Sequence, residues 1–269
     1  MTLEEVALAD PEAGLAWSAP FFQLFALSYQ PHHVIAVWPH EQLVSTPRQR
    51  IAVETADMRA SAVFRPGDGF TLDGGNIVAR EVVLRSTLGW TAAADRVLLA
   101  ARRAGTGAPR YQIGVEADGV APAPELLTLV DPGGALPDAV EILRLDATVA
   151  FDDSLGGGSP QPREIRLTDL HLRWGEVELR AAGTLTVDAA GVPEGRIEVE
   201  ARNWREILRM AVAAGAVPED FAPAIERTLG AVAAFSDDEE TLDLPIDFRD
   251  GGVRVGPLPL GPAPRIALP

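Results

Sequence analysis

The stretch that decides the fold is Val177-Glu-Leu-Arg-Ala-Ala-Gly-Thr-Leu-Thr-Val187, with the turn Asp188-Ala-Ala-Gly-Val-Pro-Glu-Gly195 and the segment Arg196-Ile-Glu-Val-Glu-Ala-Arg202 after it. Apolar and polar side chains alternate along both outer segments, which places them on opposite faces of a strand. The Asp, Gly and Pro residues between them are typical of turns. The stretch therefore predicts a β-hairpin with one polar and one apolar face.

At Asn203 the spacing of apolar residues changes to that of a helix, which Gly215 and Pro218 are expected to end. Asn203 and Glu206 match a capping box, in which each side chain bonds the backbone N–H of the other residue. A second helix is expected to be capped by Asp220. Its apolar stripe is expected to consist of Phe221, Ile225, Leu229 and Val232.

Alternating or β-branched segments recur through the rest of the chain and predict further strands joined by Gly- and Pro-containing turns. The segments 21–29 and 34–38 form an aromatic hairpin, and Trp17-Ser-Ala-Pro20 is expected to break the chain before it. Asp73-Gly-Gly75 predicts a tight turn. The segment 92–103 is either a strand or a helix, because Ala and Leu do not decide between the two.

Three further features bear on the architecture. Between Leu167 and Leu170 the alternation slips by one residue, which predicts a β-bulge. The proline-rich segment Pro122–Pro137 is expected to hold one short helix. The segment Leu155–Pro162 is either a domain linker or a long hairpin loop, and the loop is favoured because the same strand pattern continues on both sides.

These elements predict a β-rich α+β fold, in which a long, twisted, mainly antiparallel sheet carries a C-terminal helix pair packed on one face. We expect a single elongated domain over residues 1–269, and any internal boundary would fall at residues 155–162.

The composition excludes several classes of function. The formal net charge is −16, which argues against binding to nucleic acid and against simple adsorption to anionic lipid. All 23 basic residues are Arg, so a lysine Schiff base and a phosphate-loop lysine are excluded. The absence of Cys removes disulfides, thiolate catalysis and zinc ribbons.

His32, His33 and His40 lie close together beside Glu41 and are the strongest candidates for a metal site. Adjacent residues on a strand point to opposite faces, however, so packing and hydrogen bonding in a turn are favoured over metal binding. His171 stands alone among alternating residues and is expected on the solvent face.

The remaining polar candidates are weaker. Asp152-Asp153 and the run 237–240 lack the spacing and central Gly of a calcium loop. Ser159 is followed by Pro160, which is not the sequence of a nucleophile elbow. We therefore predict no catalytic residue, no metal and no cofactor, and a protein that is not an enzyme.

Several segments together resemble a known family: Trp17-Ser-Ala-Pro20, Leu27-Ser-Tyr-Gln-Pro-His-His33, Ile35-Ala-Val-Trp-Pro39, Gly183–Asp188, Gly191–Gly195 and Asp250–Pro264. They are similar to the opening, middle and ending of the alphaproteobacterial domain-of-unknown-function family 2125, over most of the chain. The resemblance implies a periplasmic protein associated with the inner membrane. Members usually carry an N-terminal membrane anchor or signal segment, so an anchor is expected to precede Met1.

The strand-turn-strand style also resembles AsmA-like envelope proteins, which are associated with lipid handling. The first hypothesis is therefore an envelope protein that binds lipid in an apolar groove of a curved sheet, because two amphipathic helices cannot cover the dry faces of so many strands. The second is a structural or interaction module with a packed core, whose acidic surface and Pro-rich tail bind a protein of the cell envelope. Candidate groove residues are Phe22, Leu24, Val34, Trp38, Trp204, Leu208, Phe221 and Ile225.

Overall fold

Strands account for most of the chain, all the pairings are antiparallel, and most strands pair with the strand that follows them. The computed structural model describes residues 1–11, 14–27, 30–65, 71–105, 107–155, 160–215, 217–234, 238–256 and 258–267. The strands are β1 (Thr2–Asp10), β2 (Leu15–Leu27), β3 (Gln30–Val37), β4 (Glu41–Ser45), β5 (Arg50–Glu54), β6 (Asp57–Phe64), β7 (Leu72–Ser86), β8 (Thr91–Arg103), β9 (Arg110–Val120), β10 (Val140–Phe151), β11 (Pro162–Trp174), β12 (Val177–Val187), β13 (Pro193–Arg202), β14 (Thr241–Arg249), β15 (Gly252–Val255) and β16 (Leu258–Pro262).

The strands form one open meander. β3 and β4 lie end to end along the same edge of β2, and β6 and β5 lie end to end along the same edge of β7. Backbone bonds from Trp38 N to Met58 O (3.1 Å) and from Thr55 N to His40 O (2.8 Å) continue the ladder between these two long segments. Among the described residues no pairing joins β1 to β16, so the sheet does not close. The predicted long antiparallel sheet is confirmed.

The helices lie at one end of the strands. α1 (Pro124–Val130) follows β9 and is the short helix expected in the proline-rich segment; α2 (Trp204–Ala213) and α3 (Ala222–Ala233) follow β13. α2 and α3 contact β12 and β14 on one face of the sheet. Trp204 and Leu242, 2% and 0% exposed, lie at the centre of this packing. The expected C-terminal helix pair on one face is confirmed.

Both predicted helix caps are wrong. Asn203 has a left-handed backbone, with φ 55°, and its side chain makes no capping hydrogen bond. Glu206 is buried and pairs with Arg209 instead of reaching back to the cap. Asp220 lies inside the 3-10 turn Glu219–Phe221, which precedes α3. The capping pattern fails because it requires an extended backbone at the first residue, and the chain enters both helices with other backbone angles.

The N-terminal segment contains two strands where the sequence indicates only weak order. β1 is not predicted, and the break expected at Pro20 is wrong because Pro20 lies inside β2. Pro20 stands opposite Glu5, whose φ of 50° interrupts β1 at that point. Proline lacks an N–H, and the ladder here does not require one.

The turn predicted at Asp73-Gly-Gly75 is also wrong, since these residues lie within β7. A Cβ at Gly75 would lie 2.8 Å from the carbonyl oxygen of Ser61 on β6, so this glycine allows two strands to approach closely. The ambiguous segment 92–103 is strand β8.

The predicted bulge is confirmed. Leu167 pairs with Gly183 and Leu170 with Ala181, so β11 has one more residue than β12 between these pairs. A Cβ at Gly183 would collide with the carbonyl oxygen of Arg196 on β13. Glycine is therefore required opposite the bulge.

The Gly- and Pro-rich segment connects two strands that pair directly. Ala150 of β10 pairs with Glu164 of β11, as expected for a long hairpin. Residues 156–159 lie outside the described part of the chain.

Gly183→Ala is expected to lower the free energy of unfolding by about 1–3 kcal/mol, because the added methyl group meets backbone atoms of β13. Gly230→Ala is the matched control. Gly230 lies in α3 with no atom near its Cβ position, so this change is expected to raise the free energy of unfolding by about 0.5–1 kcal/mol. Urea unfolding measures both, and a neutral Gly183→Ala would contradict the assigned register.

Candidate functional site

One face of the sheet carries uninterrupted rows of apolar side chains. Residues paired across antiparallel strands share a face, so the register traces each row from strand to strand. The central row consists of Leu24, Ala36, Ala60, Ile77, Leu99, Val115, Leu145, Leu170, Ala181, Val199 and Leu244. At about 4.8 Å between strands, this row is roughly 50 Å long.

Two further rows flank it on the same face. The upper row, on the side of the helices, consists of Trp38, Met58, Ala79, Val97, Ala117, Leu143, Leu172, Leu179, Ala201 and Leu242. The lower row consists of Ala26, Val34, Ala62, Gly75, Ala101, Ile113, Ala147, Leu167, Gly183, Ile197 and Ile246. The three rows together are called the apolar face.

The lower row carries small residues over part of its length. Ala62, Gly75 and Ala101 follow one another across β6, β7 and β8, and Ile113 on β9 ends this run before Ala147 on β10. In the central row beside them, Ile77 and Leu99 are larger. Below the lower row lies a packed cluster of Tyr111, Val149 and Phe151, with Ile165 against it.

The opposite face, called the polar face, is charged. One of its rows consists of Glu116, Arg144, His171, Arg180, Glu200 and Asp243. Arg180 donates to Glu178 at 2.8 Å and Arg196 to Asp247 at 2.7 Å. These hydrogen bonds hold the pKa of the Glu178 and Asp247 carboxyls below their usual range, so both stay ionised at neutral pH.

The helices cover only one end of the apolar face. Their core cluster reaches Leu179, Val199, Ala201, Leu242 and Leu244, all on β12, β13 and β14. Leu99, in the uncovered part of the central row, is 40% exposed. The accessible surface of the chain is 15673 Å², compared with about 11,000 Å² for a compact monomer of this mass. The excess is that expected of a sheet largely without a second layer.

The structure separates the predicted groove residues into two sets. Phe22, Leu24, Val34 and Trp38 share the apolar face of β2 and β3, and the rings of Phe22 and Trp38 lie 5.1 Å apart. Trp204, Leu208 and Ile225 belong to the helix core at the opposite end of the sheet, and Phe221 is 54% exposed there. These residues do not line one common groove, and their role in binding stays a prediction.

The polar candidates make local contacts. His33 Nε2 lies 2.7 Å from Ser61 Oγ, and His40 Nδ1 donates to the Thr55 carbonyl at 2.9 Å. His171, expected on the solvent face, lies on the polar face and is 3.0 Å from Glu178. Within the described ranges no group of three or more His, Asp or Glu side chains is arranged to hold a metal ion. Ser159 and Asp237 lie outside the described residues.

A cleft of about 450 Å³ lies among the helices, with Asp131, Glu206 and Arg209 in its wall. Asp131 accepts a hydrogen bond from the backbone N–H of Leu136 at 2.7 Å, which lowers the pKa of its carboxyl. Glu206 pairs with Arg209. The two buried carboxylates therefore have partners within their own segments, Asp131 in the loop after α1 and Glu206 in α2.

No described helix is long and apolar enough to cross a membrane.

Apart from Leu24, the residues of the uncovered central row, such as Leu99 and Leu145, are absent from the predicted groove. Alternation places each of them on the dry face of its own strand. Only the register shows that these dry faces join into one surface, and the sequence of a single chain does not state the register.

A family model described as an uncharacterised protein conserved in bacteria (DUF2125) matches residues 1–264. Searches of curated proteins and of solved structures give no match.

Trp204→Ala is expected to lower the free energy of unfolding by about 3–5 kcal/mol, because the indole is buried and its Nε1 donates to Glu239 O at 3.0 Å. Phe221→Ala in the same helix layer is the control, with an expected loss below about 1 kcal/mol, since its ring is half exposed. Equal losses in urea unfolding would contradict the assigned helix core.

Proposed function

The chain belongs to DUF2125, a family of uncharacterised bacterial proteins, and we propose that it is a non-enzymatic protein of the cell envelope that binds lipid acyl chains on its apolar face. The observation that carries this proposal is the set of in-register apolar rows, which extend far beyond the helices that cover one end of them.

An uncovered apolar face favours a ligand that removes it from water. Burial of apolar surface contributes roughly 25 cal/mol per Å², or about 0.8 kcal/mol for each buried methylene. A linear hydrocarbon chain could lie along the small side chains of Ala62, Gly75 and Ala101, which follow one another across neighbouring strands. The apolar face makes no demand on the chemistry of the ligand beyond length and apolarity.

Charge supports a ligand held by its chains rather than by an anionic headgroup. The net charge is −16, and the polar face carries ionised carboxylates such as Glu178 and Asp247. Binding through an anionic headgroup would oppose this field. Burial of acyl chains does not depend on it.

The structural or interaction module remains the second candidate, with a protein covering the same face. The Pro-rich tail, on which that hypothesis relied, lies along the molecule: Ile266 N donates to Gly191 O and Ala263 N to Gly251 O, each at 2.8 Å. These contacts favour a tail that packs against its own turns over one that recruits a partner.

Placement on the periplasmic side of the inner membrane is part of the proposal and is supported by the resemblance of the sequence to envelope proteins. Protease treatment of spheroplasts tests it. Degradation of the protein in intact spheroplasts is expected, and protection until the membrane is lysed would contradict a periplasmic location.

Leu99→Gln with Leu145→Gln is expected to weaken binding of a pyrene-labelled phosphatidylcholine by at least about tenfold, because both side chains lie in the uncovered central row. Pyrene fluorescence titration measures the affinity. Thermal unfolding establishes that the double variant is folded.

Leu98→Gln is the matched control. Leu98 lies next to Leu99 on β8 and pairs with Glu116, which places it on the polar face. Its substitution is expected to leave lipid affinity unchanged. Failure of the unaltered protein to bind the lipid, or equal weakening by the two sets of changes, would overturn the proposed function.

A further inference from the structure

The two ends of the strands differ sharply in character. The connections that follow β1, β4, β7, β9, β11 and β13 all lie at one end of the sheet, because the strands form a simple antiparallel meander. α1, α2 and α3 are parts of these connections. This end is called the helix-bearing rim, and the end that carries the other connections is called the opposite rim.

Exposed apolar side chains collect at the helix-bearing rim. Leu88, in the turn between β7 and β8, is 65% exposed, and about half or more of the surface of each of the others is accessible: Leu8, Leu15, Leu126, Leu129 and Phe221. Among the described residues, the large exposed apolar side chains of the opposite rim are Met1 and Phe25. The described part of that rim carries ion pairs, such as Arg65 with Asp73 and Arg163 with Asp152, both at 2.6 Å.

We propose that the helix-bearing rim docks on a zwitterionic lipid bilayer and places these apolar side chains in its interfacial layer. The inference goes beyond acyl-chain binding, since it concerns the surface to which the whole protein attaches, and it holds or fails separately.

The arrangement of the side chains fits a bilayer better than a folded partner. They are distributed, singly or in pairs, over strand ends, a hairpin turn and short helices along the rim, from the β1–β2 connection to the turn before α3. A protein interface concentrates its apolar residues at the centre of a patch. A bilayer interface accepts apolar side chains wherever a line of them meets it.

The acidic residues of the rim favour a zwitterionic bilayer over an anionic one. The apolar residues are accompanied by acidic ones, among them Glu125 beside Leu126, and Glu219 and Asp220 beside Phe221. With a net charge of −16, an anionic membrane surface would repel the protein. A zwitterionic surface allows the apolar contacts to determine the affinity.

The rim is also continuous with the apolar face. Apart from β3 and β6, which β4 and β5 continue, the strands of the three rows run to this rim, and the upper row ends at Leu242 beside Trp204 of the helices. A bilayer at the rim would present acyl chains to the uncovered end of the face.

The test uses the absence of Cys from the chain, which makes any introduced cysteine a unique labelling site. Leu88→Cys and Phe25→Cys are each labelled with bimane and mixed with vesicles of phosphatidylcholine. The exposed positions of both residues make misfolding unimportant. A blue shift is expected at position 88 and none at position 25, because only the first lies on the helix-bearing rim.

A second variant measures the energetic contribution of the rim. The triple change Leu88→Gln, Leu126→Gln and Leu129→Gln is expected to lower the partition coefficient onto these vesicles by at least about tenfold, and Phe25→Gln is expected to leave it unchanged. Addition of phosphatidylglycerol to the vesicles is expected to lower the partition coefficient of the unaltered protein, because anionic headgroups repel its negative charge.

Four results would overturn the inference. The first three are an equal shift at positions 88 and 25, vesicle binding that requires phosphatidylglycerol, and binding only to native membranes that protease treatment abolishes, which would indicate a protein receptor. The fourth is acyl-chain binding in solution with no vesicle association, which would leave the proposed function intact.

Discussion

The structure depends on one constraint, which is that the apolar side chains of every strand must stay on the same side of a sheet that consists of one layer. The central row holds an apolar residue at each step between Leu24 and Leu244. A slip of one residue at any pairing would exchange the two faces from that strand onward. Continuity of the apolar face therefore depends on the pairing of all the strands that contribute to it.

Local backbone irregularities keep apolar side chains on the same face at positions where simple alternation along the strand would place them on the other face. In β2 the rings of Trp17 and Phe22 meet at 5.7 Å although their positions differ in parity, and Trp17 Nε1 donates to Gln42 on the same face. Left-handed residues at Glu5 and Glu81 mark the same level of the sheet in β1 and β7. Each irregularity restores the apolar phase, as the bulge between Leu167 and Leu170 does in β11.

The sequence predicts what depends on neighbours along the chain and misses what depends on neighbours in space. The alternation from Val177 to Arg202 identifies β12 and β13, and the slip after Leu167 identifies the bulge, because both are local patterns. The turn expected at Asp73-Gly-Gly75 is wrong because those glycines serve a close approach to β6, which only the pairing reveals. The cap expected at Asn203 is wrong for a similar reason, since packing of α2 fixes the backbone there. The candidate groove residues were chosen for aromatic and apolar character, which finds packed clusters such as Trp204 more readily than the half-exposed central row.

We propose that the protein contacts lipid at two surfaces, the apolar face along its strands and the helix-bearing rim at their ends. The most direct test of the central claim is photo-crosslinking with a phosphatidylcholine that carries a diazirine in one acyl chain, followed by mapping of the labelled residues by mass spectrometry. The account predicts adducts on the uncovered rows, at residues such as Leu99, Val115 and Leu145, with none on the charged row of Glu116 and Arg144. Adducts confined to the polar face, or spread equally over both faces, would contradict it.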